Sequence, residues 1–126
     1  MRANAKKILV VEDEIEIGDM LKDFLEEKNF EVELATDGIR ALELIGEDIP
    51  GIVIMDLLLP GEHGINLIKT IKSNFFIPII IISGVYRLEE IQPVMDEYFV
   101  EGFLEKPLDL NRLMQLLNKI VDARAL

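Results

Sequence analysis

The chain has 126 residues, of which half are apolar and 29% are charged, and its formal net charge is −11. This length and apolar content suit one packed core, so we expect a single domain over residues 1–126, with no output domain within the chain. The negative charge disfavours binding to nucleic acid or anionic membranes, and the absence of cysteine leaves oxygen ligands and hard cations as the natural metal chemistry.

Short β-branched segments alternate along the chain with segments of helical period. Strands are predicted over residues 7–11, 31–35, 51–55, 78–82 and 102–105. Helices are predicted over residues 17–25, 39–45, 65–73, 91–99 and 110–121. The first, third and fourth strands are apolar throughout, as is typical of central strands. We therefore predict an α/β fold, a doubly wound five-stranded parallel sheet with five helices on both faces.

No apolar segment approaches the length needed to cross a membrane. The longest run, residues 75–82, contains Pro78 and falls far short of the roughly 20 residues required. Near the N-terminus, Lys6 and Lys7 precede an apolar stretch over residues 8–11 that is too short for a signal peptide. We expect a cytoplasmic protein.

The fourth predicted helix has two unusual features. Pro93 lacks a backbone donor and is expected either to lie in the first turn or to bend the helix. Tyr98 and Phe99 lie at helical spacing from Ile91 and Met95, which favours burial in the core over the alternative role of anchoring a partner.

Polar side chains follow four of the predicted strands. Glu12 and Asp13 come after the first strand, Asp56 after the third, Ser83 after the fourth and Lys106 after the fifth. Each alone could cap a helix or lie on the surface. Together they should meet at one edge of the sheet, where three carboxylates require a compensating cation and suit Mg²⁺ with a phosphoryl group. Asp56 is then the candidate nucleophile, Lys106 the neutralising cation and Ser83 a hydroxyl donor to the phosphoryl group.

Four segments resemble the signature blocks of response-regulator receiver domains. They are VVEDE (10–14), MDLLLPGEHG (55–64), ISG (82–84) and FLEKP (103–107). The resemblance implies the flavodoxin-like strand order 2-1-3-4-5. It also implies that Asp56 is the phosphoacceptor, that Glu12, Asp13, Asp56 and the backbone carbonyl of Leu58 bind Mg²⁺, and that Lys106 pairs with the phosphoryl oxygens.

The same resemblance implies a switch and its partners. Ser83 would be the switch hydroxyl, Phe103 the switch aromatic, and Pro107 would follow a cis peptide bond. The donor would be a phosphohistidine on a sensor kinase or phosphotransfer protein. The output would be a downstream protein effector or a fused output domain, reached through the surface of helix 4, strand 5 and helix 5, which could also support a homodimer.

Some residues differ from the pattern of the family. Phe99 and Val100 stand where a small Gly-Ala pair is common, so the partner surface is expected to be unusual. Leu58 and Val85 are apolar at positions that are polar in many fast-cycling receivers, which predicts a long-lived phosphorylated state.

The sequence leaves three other interpretations open. His63 could bind metal or transfer protons, but a lone imidazole favours a solvated loop. A binding scaffold that works without phosphorylation is the second candidate function, although such a scaffold would normally have lost Asp56 or Lys106. The third is a small phosphatase with an Asp nucleophile, which requires an acid where this chain has Leu58.

Overall fold

The computed structural model describes residues 3–124, so residues 1–2 and 125–126 of the predicted domain lie outside the described residues. We number the strands of the main sheet: β1 Asn4–Val11, β2 Glu31–Ala35, β3 Pro50–Asp56, β4 Ile79–Ser83 and β5 Gly102–Glu105. The helices are α1 Ile15–Glu27, α2 Gly38–Glu47, α3 Gly64–Asn74, α4 Leu88–Tyr98 and α5 Leu110–Arg124. Within residues 3–124, no helix is long and apolar enough to cross a membrane.

The five strands form one parallel sheet in the order β2-β1-β3-β4-β5. The predicted fold class, strand order and central position of the first, third and fourth strands are confirmed. The reversal of strand order beside β1 creates the crevice at the carboxyl ends of β1 and β3 where ligands bind in such sheets.

The apolar core lies on both faces of the sheet. Successive residues of β3 point to opposite faces, so Val53 and Met55 pack in one core cluster and Ile52 and Ile54 in the other. Burial on both faces explains why the central strands are continuously apolar. The sheet therefore holds the ends of β1, β3 and β4 in fixed positions.

A short antiparallel ribbon, which was not predicted, follows β3. Residues 58–59 pair with residues 62–63 across a Pro60-Gly61 turn. Gly61 has a φ of 73°, a conformation that glycine adopts without the steric cost of a side chain. Proline followed by glycine is a turn signal that could have revealed the ribbon in the sequence.

Helix α4 begins earlier than predicted. It starts at Leu88, and the side chain of Glu90 accepts a hydrogen bond from the Arg87 backbone N–H at 3.1 Å. Pro93 therefore lies in the middle of the helix. Of the two expectations for it, placement in the first turn is wrong, and a bend of the helix stays a prediction. Because proline has no N–H, the carbonyl of Glu89 lacks its usual helical partner.

The prediction that Phe99 lies in the core is also wrong, whereas the prediction for Tyr98 is confirmed. Tyr98 is half-buried and packs against the core cluster that contains Ile91. Phe99 is the C-cap of α4, with φ 56° and ψ 47°, and its side chain is 81% exposed. The left-handed conformation takes Phe99 out of the helical stripe on which the prediction was based.

Lys7 is a buried lysine at the amino-terminal half of β1. Its ammonium pairs with Glu33 on β2 and with Asp48 after α2, the latter at 3.1 Å. Burial lowers the pKa of Lys7, but hydrogen bonds and charge attraction from these two carboxylates outweigh it and raise the pKa above 10.5. This ion pair joins β1, β2 and the end of α2.

Candidate functional site

The strands bring the predicted site residues to one edge of the sheet. Asp56 is the last residue of β3, and it pairs in register with Ile82, the residue before Ser83. Ser83 is the last residue of β4, and its carbonyl accepts a hydrogen bond from the Lys106 N–H at 2.8 Å. The structure thus places Asp56, Ser83 and Lys106 on three adjacent strand ends.

Asp56 is 4% exposed, and both of its carboxylate oxygens are bonded. Oδ1 accepts a hydrogen bond from the Leu58 N–H at 3.0 Å, and Oδ2 accepts one from the Lys106 ammonium at 2.6 Å. These contacts fix the orientation of the carboxylate. One oxygen is held by backbone, and the other is held by a cation whose flexible side chain can move.

Lys106 lies among three carboxylates. Its Nζ atom is 2.6 Å from Glu12 Oε1, 2.6 Å from Asp56 Oδ2 and 3.2 Å from Glu14 Oε1. Burial lowers the pKa of Lys106, but hydrogen bonds with these carboxylates outweigh it and raise the pKa above its usual value. The contact with Glu14 was not predicted, because the family pattern and the strand-end rule drew attention only to the two acids before it.

Glu12 is the most buried acid of the cluster. Its Oε2 accepts a hydrogen bond from the Glu14 N–H at 3.3 Å, and the buried Oε1 contacts the Lys106 ammonium at 2.6 Å. Burial raises the pKa of Glu12 to about 7, and the charge of Asp56 adds to the rise, against the opposing effects of Lys106 and the Glu14 N–H. A metal ion bound at Oε1 would therefore compete with the Lys106 ammonium.

Three carboxylates form a group that fits a divalent metal. One oxygen each from Glu12, Asp13 and Asp56 lie within 4.8 Å of one another, and Asp13 is exposed to solvent. Oxygen ligands with one side open to water are the environment that Mg²⁺ prefers. The three predicted carboxylates therefore fit the chemistry of a Mg²⁺ site.

The loop after β4 is folded onto the Ser83 hydroxyl. Ser83 is buried, and its Oγ accepts hydrogen bonds from the N–H groups of Val85 at 3.2 Å and Tyr86 at 3.0 Å. Phe103, on the neighbouring strand β5, is half-buried and packs against the core cluster that also contacts Tyr86. The predicted hydroxyl and aromatic therefore lie on adjacent strands.

The remaining predicted residues surround the site. Pro107 follows a cis peptide bond, as the family resemblance implied. Leu58 and Val85 are 47% and 63% exposed, on the loops that follow Asp56 and Ser83. His63 is exposed as predicted, and its Nδ1 accepts a hydrogen bond from the Ile65 N–H at the start of α3.

Comparison with known proteins agrees with this geometry. The family model described as response regulator receiver domain matches residues 8–118, a span that contains all of the site residues above. The chain belongs to the response-regulator receiver family. Receiver domains are signalling domains, and membership implies interaction with kinase or phosphotransfer partners and with output domains.

Solved structures extend the match over nearly the whole receiver. The receiver domain of Francisella response regulator 1452 is 28% identical, with a TM-score of 0.85, over 94% of this chain and 98% of that one. A response regulator receiver domain protein from Clostridium thermocellum is 27% identical, with a TM-score of 0.85, over 94% and 96% of the two chains. NtrX from Brucella abortus is 30% identical, with a TM-score of 0.86, over 94% of this chain but 27% of its own.

Proposed function

We propose that this receiver is a phosphoacceptor switch that takes a phosphoryl group onto Asp56 with the help of Mg²⁺. The observation that carries the proposal is the buried Asp56 carboxylate, held at 3.0 Å by the Leu58 N–H and at 2.6 Å by the Lys106 ammonium within a cluster of acids. A purely structural ion pair would not need two further carboxylates beside it.

The transfer step follows from the position of Asp56. A carboxylate oxygen of Asp56 attacks the phosphorus of a phosphohistidine, an O–P bond forms, and the P–N bond of the donor breaks as the imidazole leaves. Mg²⁺, held by Glu12, Asp13, Asp56 and the backbone carbonyl of Leu58, would neutralise charge on the transferring phosphoryl group. Lys106 supplies the second cation, on the opposite side of the carboxylate from the Leu58 N–H.

The ammonium of Lys106 has to exchange partners in this scheme. It now contacts Glu12 and Asp56, which are also the proposed metal ligands. When a phosphoryl group is attached to Asp56, the ammonium of Lys106 turns to a phosphoryl oxygen. The exposed carboxylate of Glu14 remains an ion-pair partner of Lys106 while it changes its other contacts. Ser83 likewise has to leave the N–H groups of Val85 and Tyr86 to donate its hydroxyl to the phosphoryl group.

The output surface that fits this switch is the α4-β5-α5 face. A hollow of about 440 Å³ opens there, and Leu88, Phe103 and Arg112 are among its lining residues. Because Phe103 borders this hollow and also contacts the core, a change in its rotamer would alter the surface that a partner meets. A downstream protein, a fused output domain or a second receiver would respond to that change, and residues 1–126 would act as one domain.

Intact-protein mass spectrometry tests the proposal. The chain is incubated with acetyl phosphate with and without Mg²⁺, in parallel with Asp56→Asn and with Asp19→Asn as a control for an exposed acid on α1. One phosphoryl adduct that requires both Mg²⁺ and Asp56, and that Asp19→Asn retains, is the expected result. A folded chain without an adduct would favour the binding scaffold that works without phosphorylation.

A phosphatase of the Asp-nucleophile type gains no support from the site. The position two residues after Asp56 is Leu58, whose side chain offers no proton to a leaving group.

A further inference from the structure

A hollow lined by several aromatic residues lies at the edge of the sheet opposite Asp56. It has a volume of about 510 Å³, and its walls include Phe75, Phe76, Tyr98 and Phe99. Pro78, which also lines it, comes directly before β4, so four residues of strand, or about 13 Å, separate it from the level of Asp56. The phosphorylation site does not use this surface.

Two phenylalanines of the hollow are directed into solvent. Phe76 is fully exposed, and Phe99 is 81% exposed. Smaller hollows of about 370 and 330 Å³ adjoin it, the first sharing Phe75 and Phe76 and the second sharing Pro78 and Glu101. The aromatic hollow is therefore the centre of a longer groove along this edge, and contiguous apolar surface of this kind marks binding sites.

The conformation of Phe99 is a second, independent observation. Its φ of 56° is in the left-handed region, which is unfavourable for a residue with a Cβ. Burial of the ring does not offset this cost, because the ring is exposed. A strained backbone that presents an aromatic ring to solvent points to a binding role for that ring.

The charges in the hollow indicate which partner fits. Lys72 donates to both carboxylate oxygens of Glu101, at 2.8 and 3.0 Å, so these two charges compensate each other. Glu97 is the remaining charged lining residue, and it forms no ion pair with the side chains that the structure describes. One uncompensated carboxylate beside aromatic rings in a chain of net charge −11 attracts a cation and repels a second copy.

We infer that this aromatic hollow binds a basic and apolar peptide segment of a partner protein. An apolar side chain of the segment packs between Phe76 and Phe99, and an adjacent Arg or Lys pairs with Glu97 and lies over an aromatic ring. The volume lies within the roughly 300–1,000 Å³ typical of ligand sites. Binding at this edge leaves the α4-β5-α5 face free for another partner.

Selection from random peptides displayed on phage tests the inference, with the full 126-residue chain as bait and no Mg²⁺ or phosphodonor. Peptides are first depleted on the Phe76→Ser/Phe99→Asn double variant, and the survivors are sequenced. The expected consensus contains Arg or Lys beside Leu, Ile or an aromatic residue. Because phosphorylation is excluded, a negative result here is independent of the mass-spectrometric test above.

One selected peptide is then measured by fluorescence anisotropy. The double variant should weaken its affinity by about tenfold or more, whereas Ile39→Ser, which removes an exposed apolar side chain on α2, should leave it unchanged. Replacing the basic residue of the peptide by a neutral one should weaken binding to the native chain and have much less effect in Glu97→Gln.

Four outcomes would overturn the inference. The first is that depletion on the double variant removes every peptide that binds the native chain, the second is that the surviving peptides are acidic, and the third is that Glu97→Gln strengthens binding of the basic peptide. Self-association that sedimentation detects in the native chain and not in the double variant would assign the hollow to a second copy instead, and would also contradict it.

Discussion

Substitution of Gly64 tests the close contact between the start of α3 and the loop that carries Leu57. It is the first residue of α3, it is buried, and its N–H donates to the Leu57 carbonyl at 3.0 Å. A Cβ at this position would lie 2.5 Å from the Leu57 oxygen, 2.6 Å from its Cα and 2.9 Å from its carbonyl carbon. These are backbone atoms between Asp56 and Leu58, so relief of the overlap requires the site loop itself to shift.

We expect Gly64→Ala to lower the free energy of unfolding by about 2–4 kcal/mol. This is a large effect for an overpacking substitution, because the overlapping atoms belong to the backbone and no flexible side chain can move aside. Gly46→Ala is the matched control, since a Cβ on this exposed residue of α2 meets nothing within 4 Å, and it should stabilise the chain by about 0.5 kcal/mol. The chain has no tryptophan, so urea unfolding is followed by far-ultraviolet circular dichroism. If Gly64→Ala proves as stable as the native chain, the close approach of α3 to Leu57 is wrong.

Three further predictions concern other parts of the chain. Lys7→Met should lower stability by about 1–2 kcal/mol, because Glu33 and Asp48 lose their counter-ion but remain partly solvated. Since the folded-state pKa of Lys7 is raised above 10.5, the stability difference between the native chain and Lys7→Met should be fully present below that pH and shrink as the pH rises further. Urea unfolding of both chains below and above pH 10.5 measures it. A stability difference that stays constant across this range would show that the pairing is unimportant. Phe99→Asn should raise the thermal midpoint, because asparagine tolerates the left-handed conformation and little burial is lost, and a lower midpoint would contradict the inferred strain. Leu58→Asn should shorten the lifetime of phosphorylated Asp56 severalfold by admitting water, as mass spectrometry after removal of the phosphodonor would reveal; an unchanged lifetime would exclude screening by Leu58.

The sequence was sufficient to predict the sheet and the gathering of the site residues. Strand periodicity and burial depend on local patterns, and the carboxyl ends of parallel strands meet by geometry, so Asp56, Ser83 and Lys106 could be placed together before any coordinates. The strand order came from family resemblance, because the pattern of apolar residues does not specify which strands are neighbours.

Other features depend on contacts that local patterns do not encode. Glu14 reaches Lys106 across 92 positions of sequence, and the burial of Lys7 depends on acids from two other elements. Phe99 was misplaced because one left-handed residue ended the helical period, and its neighbour Tyr98, still within the helix, was placed correctly. The ion pairs of Lys7 and Lys106 and the exposure of Phe99 all depend on tertiary structure. In each case a distant partner or a single backbone angle determines the position of the side chain, which the periodicity of apolar residues does not predict.

The single carboxylate of Glu101 has a mechanical consequence for the switch. Besides binding Lys72 near the end of α3, it accepts a hydrogen bond at 2.8 Å from the N–H of Ile79, the first residue of β4. One side chain thus ties the starts of β4 and β5 to α3 at the edge away from Asp56. At the other edge, the Ser83 hydroxyl accepts hydrogen bonds from two N–H groups of the loop that follows β4. A phosphoryl group on Asp56 would compete with these N–H groups for the hydroxyl. The starts of β4 and β5 are thus held to α3, whereas the loop after β4 is held by hydrogen bonds to one hydroxyl. Under the proposed switch, we expect a change at Asp56 to move that loop and the α4-β5-α5 face rather than the opposite edge of the sheet.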